Sequence, residues 1–151
     1  MKDKAIFLDR DGTINKEVNY LYRKDDFEFI PNAPEAIKLF HELGYRVIVI
    51  TNQAGVARGF YEENDIEILH NYINFLLEKE NTYIDAYYYC PHHPEGTVDK
   101  YSYKCNCRKP EIGMIEKALK DYNIDLEKSI FIGDKEIDIM TGKLAGVGNC
   151  F

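Results

Sequence analysis

Asp9 and Asp11 stand two residues apart at the end of a short apolar run, Ile6-Phe7-Leu8, and just before Gly12. Residues two apart along a strand point to the same face, so the two carboxylates can converge on one point. Carboxylates held side by side raise each other's pKa unless a cation lies between them. Mg²⁺ suits that place, because it favours oxygen ligands and keeps substrate phosphates as further partners. Read alone, the same residues also make an ordinary strand-to-turn junction, where Asp and Gly are common.

Two other apolar runs end on residues of related chemistry. Thr51-Asn52-Gln53 follows Val47–Ile50, and its hydroxyl and amides can hydrogen-bond phosphate oxygens. Gly133-Asp134 follows Ile130–Ile132, placing Asp134 to complete a metal site with the first pair. Asp138, four residues on, falls on a first helical turn, where it either supports that site or caps the helix. Arg108-Lys109-Pro110 supplies two cations, and the proline favours extended geometry at Lys109. Arg58, flanked by Gly55 and Gly59, sits in a loop that could aim a guanidinium at a phosphate or sugar.

A second constellation is built from Cys90-Pro91-His92 and Cys105-Asn106-Cys107, with twelve residues between the pairs. Cys90, His92, Cys105 and Cys107 form a Cys₃His set suited to tetrahedral Zn²⁺, with His93 as the alternative to His92. Four protein ligands close such a site, so its role is structural, holding the loop of about residues 90–107. Cys150 stands apart as a simple thiol.

Positioning these groups requires strands that end together. Ala5–Leu8, Tyr45–Ile50, Ala86–Tyr89 and Ser129–Ile132 read as strands, the second and fourth rich in Val, Ile or Phe as buried parallel strands are. Helices are expected at about 34–43, 64–79, 113–122 and 136–145, the second with Ile66, Leu69, Ile73 and Leu76 on one stripe. Pro34 suits a first turn, with Asn32 or Ala33 near the cap, and Gly44 and Gly146 serve as stops. The alternation implies parallel βαβ units, in which ligands bind beyond the carboxyl ends of the strands. Asp9, Asp11, Thr51, Asn52 and Asp134 would then share one edge.

The 151 residues fit a single domain with a real core. Apolar residues at 45% and charged residues at 30% give an ordinary globular balance. A net charge of −7 argues against nonspecific nucleic-acid or anionic-membrane binding. No apolar run approaches the ~20 residues of a membrane span, and the start Met1-Lys2-Asp3-Lys4 lacks a signal-peptide core, so the cytoplasm is expected. The chain stops at Cys150-Phe151, where a further strand is starting, so a C-terminal segment is expected to be missing or unusually short.

Taken together, these residues resemble the haloacid dehalogenase superfamily of phosphatases. Asp9-x-Asp11-x-Thr13, Thr51, Lys109 and Gly133-Asp134-x-x-x-Asp138 match its four motifs in order. The zinc loop narrows the match to a branch that acts on heptose bisphosphates or histidinol phosphate. Ala57-Arg58-Gly59 favours the heptose side, whose products feed lipopolysaccharide or surface-glycan synthesis.

The resemblance implies a Rossmann-like parallel sheet with helices on both faces, a small zinc-binding loop and no large cap domain. It implies Asp9 as nucleophile and Asp11 as general acid and base. Thr51 and Lys109 would hold the phosphoryl oxygens, and Mg²⁺ would lie on Asp9, the Asp11 carbonyl and Asp134. Glu17, Val18, Asn19, Tyr20, Asn52, Gln53, Ala54, Arg58, Arg108 and Lys135 would contact a phosphorylated sugar. A monomer is expected, with loops shielding the pocket. The competing expectations are a histidinol-phosphate phosphatase and a catalytically silent, zinc-stabilised binding module.

Overall fold

The computed structural model describes residues 1–151. Five parallel strands form one sheet: β1 (Lys4–Leu8), β2 (Tyr45–Asn52), β3 (Ala86–Cys90), β4 (Ile130–Ile132) and β5 (Asn149–Cys150), in the order β3-β2-β1-β4-β5. β1 and β2 pair in register from Lys4 with Tyr45 to Leu8 with Val49, and β4 flanks β1 from Ile6 with Ile130. The fifth strand is two residues long, Asn149 and Cys150, which pair with Ile130 and Phe131.

Four helices alternate with the strands: α1 (Ala33–Glu42), α2 (Glu63–Glu78), α3 (Gly113–Asp121) and α4 (Glu136–Ala145). Their placement follows from the two-residue period of the strands. Ile6, Leu8, Val47 and Val49 turn to one face and pack with Ile37 of α1 and with Leu69, Ile73 and Leu77 of α2. Ala5, Phe7, Ile48 and Ile50 turn to the other face and pack with Met114, Ile115 and Ala118 of α3, with Ala145 of α4 against the same cluster. Both faces are covered, which is why the central strands read as continuous apolar runs.

One local detail differs from the sequence expectation. The buried stripe of α2 is Ile66, Leu69, His70, Ile73 and Leu77, so Leu77 replaces Leu76 and a histidine enters the stripe. Spacings of three and four residues still describe it, because 66, 69, 70, 73 and 77 lie on one helical face. Asn32 occupies the cap of α1 in a left-handed conformation (φ 70°) without a side-chain cap bond, and Pro34 falls within the first turn as expected. No helix is long and apolar enough to cross a membrane.

Candidate active site

β1 and β2 are neighbours at the middle of the sheet, so the residues that follow their last rungs share one edge. Asp9 follows β1 directly, and its N–H still donates to Ile132 O of β4 at 3.1 Å, which holds it in line with the strand. Lys109 reaches the same point from the loop before α3. Its Nζ donates to Asp9 Oδ1 at 2.9 Å, Asp138 Oδ1 at 2.6 Å and Ile50 O at 3.0 Å. Those acceptors occupy all three ammonium protons.

Asn52, at the end of β2, fixes the lysine backbone. Its Oδ1 accepts the Lys109 N–H at 2.9 Å, and its Nδ2 donates to Lys109 O at 3.4 Å. The Lys109-Pro110 peptide bond is cis. Burial pushes the Asp9 carboxyl up to about 6, against the pull of the Lys109 ammonium and with some help from the Asp138 and Asp11 charges. A buried carboxylate so placed is held in a high-energy ionised form, which suits a nucleophile or a metal ligand.

The Asp11 carboxylate is held differently. Arg10 donates to Oδ1 from Nε at 3.1 Å and from Nη2 at 3.0 Å, Asn15 Nδ2 donates to Oδ1 at 3.1 Å, and Gln53 Nε2 donates to Oδ2 at 3.2 Å. Gln53 in turn donates to Thr51 Oγ1 at 3.0 Å and accepts from the Tyr61 hydroxyl at 2.6 Å. The side chain of Asp11 keeps 22% exposure toward the cleft while its guanidinium partner is buried.

A cluster of carboxylates able to hold a cation is formed by Asp9, Asp134 and Asp138, each with an oxygen within 4.8 Å of the others. The Asp11 carboxylate is not part of the cluster, its side chain being committed to Arg10, Asn15 and Gln53. Hard oxygen atoms crowded at one point fit Mg²⁺. Two glycines make the crowding possible. A Cβ on Gly12 (φ +86°) would overlap the Asp134 carboxylate, and one on Gly133 would overlap that of Asp138. Asp138 has both roles left open by the sequence, since its second oxygen accepts the Lys135 N–H at 3.2 Å and caps α4.

Above Asp9 opens a cleft of about 290 Å³. Its wall includes Asp9, Asp11, Glu17, Val18, Asn19, Tyr20, Asn52, Gln53, Ala54, Arg108, Lys109 and Lys135, all expected from the sequence. Leu21, Tyr61, Ile137 and Asp138 complete it. Thr51, Asp134 and Arg58 stand outside that wall. Thr51 is buried beneath Gln53, and Asp134 belongs to the carboxylate cluster at the floor. Arg58 lies against His93, with Nη2 3.4 Å from Nε2, and its buried Nε has no hydrogen-bond partner. The Arg108 Nη1 is buried and unpartnered as well. Tyr61, an apolar-looking position in the sequence, carried no signal of its contact with Gln53.

The Cys₃His set assembles as the spacing implied. Cys90 Sγ lies 3.5 Å from Cys105 Sγ and 2.8 Å from Cys107 Sγ, and His92 Nδ1 lies 3.3 Å from Cys107 and 3.6 Å from Cys90. All but the Cys90–Cys107 separation, which is shorter, approach the edges of a tetrahedron around a zinc ion, roughly 3.5–3.8 Å for bonds of 2.0–2.3 Å. His92 Nε2 meets the Tyr103 hydroxyl at 2.7 Å, the outer contact that orients a ligating imidazole. His93 is no part of the set. Hydrogen bonds from Cys90 and His92 hold the Cys107 thiol below its ordinary range, toward the metal-binding thiolate.

A parallel α/β sheet with a buried Asp–Lys pair and an acidic cluster at its carboxyl edge defines a phosphoric monoester hydrolase. The chain belongs to the haloacid dehalogenase-like phosphatases, with the polynucleotide kinase 3 phosphatase family matching residues 4–143. A D-glycero-alpha-D-manno-heptose-1,7-bisphosphate 7-phosphatase of Photorhabdus laumondii is 50% identical, over 99% of this chain and 82% of its own length. A D-glycero-beta-D-manno-heptose-1,7-bisphosphate 7-phosphatase of Haemophilus ducreyi is 43% identical over 97% and 81%. The crystal structure of D,D-heptose 1,7-bisphosphate phosphatase from B. bronchiseptica, complexed with magnesium and phosphate, superposes with a TM-score of 0.84. It is 30% identical, over 97% of this chain and 78% of that one.

Proposed function

We propose that this chain is a Mg²⁺-dependent phosphatase that removes the 7-phosphate of D-glycero-D-manno-heptose 1,7-bisphosphate. The observation that carries the reading is the charge lining one cleft: Asp9 ion-paired with Lys109, and Arg108 and Lys135 on the same wall, Lys135 lying 3.5 Å from Glu17. A substrate with a phosphate at each end matches that distribution. The protonated amine of histidinol phosphate would instead meet Arg108 and a Lys135 already paired with Glu17.

Asp9 attacks phosphorus, forming an aspartyl-phosphate as the bond to the sugar oxygen breaks. Asp11 gives its proton to that departing oxygen, then takes one from the water that hydrolyses the intermediate. Lys109, by exchanging one of its three present acceptors for a phosphoryl oxygen, and Thr51, by turning its hydroxyl from Asn52 O, would hold the transferring oxygens and concentrate their stabilisation in the transition state. Asp9, the Asp11 carbonyl and Asp134 would hold Mg²⁺, which when bound neutralises phosphoryl charge that would otherwise oppose attack by a carboxylate. The unpartnered Nη1 of Arg108, on the cleft wall, is suited to the second phosphate.

Cys90, His92, Cys105 and Cys107 would hold Zn²⁺ as a structural ion. The enzyme is proposed to work as a cytoplasmic monomer on a soluble sugar phosphate. Phosphate release from heptose 1,7-bisphosphate and from histidinol phosphate, followed by ³¹P NMR of the product, tests the reading. Retention of the anomeric phosphate with the higher kcat/KM on the heptose is expected. Preference for histidinol phosphate, or loss of the anomeric phosphate, would overturn it.

A further inference from the structure

Arg10 is fully buried, an unusual place for a guanidinium unless its donors are met. On one side it holds the Asp11 carboxylate through Nε and Nη2. On the other, Nη1 lies 3.2 Å from Nε2 of His70 on α2, and Nη2 donates to Leu21 O at 3.3 Å. Arginine has no acceptor, so the contact with His70 is a hydrogen bond only when Nε2 is bare and the imidazole is neutral. The surroundings favour that state. His70 is 5% exposed, and its ring stacks on Tyr87 with centroids 4.3 Å apart and planes 15° apart. Burial first, and then the Arg10 charge, hold its pKa well below 6.5.

We propose that Arg10 and His70 form a positioning pair behind Asp11. His70 fixes the outer end of the guanidinium, and the guanidinium fixes the carboxylate that faces the leaving-group oxygen. The bond to Leu21 O ties the cleft wall at Glu17–Leu21 to the same cation, so acid and wall are registered together. A helix residue far from the cleft in sequence thereby controls the direction of proton delivery. The proposal rests on the reading of Asp11 as general acid.

General-acid assistance matters most when the departing oxygen is a poor leaving group, so its loss steepens the dependence of rate on leaving-group pKa. The test is kcat/KM across phosphate monoesters from the heptose 1,7-bisphosphate to p-nitrophenyl phosphate, for wild type, His70→Phe, His70→Gln and Asp11→Asn. His70→Phe keeps the stacking on Tyr87 and removes the acceptor; His70→Gln restores an acceptor near Nε2. Expected for His70→Phe is a loss at least ten-fold larger on the alkyl than on the aryl phosphate, in the same direction as Asp11→Asn, with recovery in His70→Gln.

A uniform loss across the series, or none, while Asp11→Asn steepens the slope would overturn the pair. An unchanged slope in Asp11→Asn would overturn the acid assignment itself, and the pair with it. Melting curves of the four proteins separate a folding defect, which lowers active concentration equally for every ester.

Discussion

Asp138 divides its carboxylate between Lys109 and the start of α4: Oδ1 accepts from Lys109 Nζ at 2.6 Å and Oδ2 accepts the Lys135 N–H at 3.2 Å. One fully buried side chain therefore fixes the ammonium at the floor of the cleft relative to the helix that follows Asp134. Asp138→Ala removes both bonds and leaves a buried ammonium with one carboxylate partner fewer. The expected cost is about 3 kcal/mol, the range for breaking a buried ion pair. For a chain of this size that lowers Tm by roughly 6–12 °C. Asp138→Asn keeps the cap, so it should recover part of that loss while kcat stays depressed. Thermal melts of the two variants check this, and a Tm for Asp138→Ala within a degree of wild type would contradict it.

Acid stability should depend on His70. Its folded pKa lies well below 6.5, so below pH 6.5 the unfolded chain binds a proton that the native chain refuses. Stability from this group is therefore fully present above 6.5 and falls with decreasing pH, by up to about 1.4 kcal/mol per unit. Asp9 acts with the opposite sign. Its pKa is raised from 3.8 to about 6, so its contribution is present below 3.8 and is lost as pH rises toward 6. The two slopes partly cancel in wild type. Urea unfolding of His70→Gln at pH 5, 6 and 7 should show stability that falls less, or even rises, toward acid, relative to wild type. Parallel curves for the two proteins would refute the assignment.

The strands and the residues at their carboxyl ends were legible because chemistry and periodicity coincide there. Asp9, Asp11, Thr51 and Asp134 each close an apolar run, and a parallel sheet brings such ends together. Cys90, His92, Cys105 and Cys107 were legible from ligand type and spacing alone, the spacing favouring His92 over His93, and the fold gathers these four. What the sequence could not show was side-chain direction. Asp11 is turned from the acidic cluster by Arg10, 60 residues away from the histidine that braces it. Arg58 meets His93 across 35 residues of chain, and Tyr61 folds back on Gln53 across eight. His70 interrupts the apolar stripe of α2 at a position where a histidine is usually a satisfied core residue. Contacts of that kind depend on tertiary packing, which local pattern does not encode.

The loop of residues 90–107 has anchors besides its ligand set. Thr97 and Val98 donate from their backbones to Ala57 O at 2.8 and 2.9 Å, and the Tyr101 hydroxyl donates to Glu63 at 2.7 Å. Glu63 also accepts from Tyr89 at 2.9 Å. Metal loss should therefore loosen this loop without dissolving the sheet. Cys105→Ser should purify with less than one zinc per chain and melt at least about 8 °C lower, since losing even part of a structural zinc's binding energy costs several kcal/mol. Amide exchange should accelerate in 90–107 more than in β1 or β2. Metal analysis and hydrogen exchange check both statements; an unchanged Tm after complete zinc removal would count against a structural ion.

Arg108 is placed to decide between one phosphate and two. It lines the cleft one residue from Lys109, and its Nη1 is buried with no partner of its own. A charged donor kept in that state is well suited to an anion, and its hydrogen bond to a phosphate carries about 1.5–3 kcal/mol. Arg108→Gln should therefore raise KM for heptose 1,7-bisphosphate roughly 10- to 100-fold. It should leave KM for the same sugar carrying only the 7-phosphate nearly unchanged, because the reacting phosphate is proposed to rest on Lys109 and Thr51 instead. Arg58 stands off the cleft wall beside His93, so Arg58→Gln should raise the bisphosphate KM only a few-fold, about what loss of a charge without direct contact costs. Steady-state kinetics on the two sugars separate these effects. An equal rise in KM for both would place Arg108 on the transferred phosphate and remove the argument for a bisphosphate substrate.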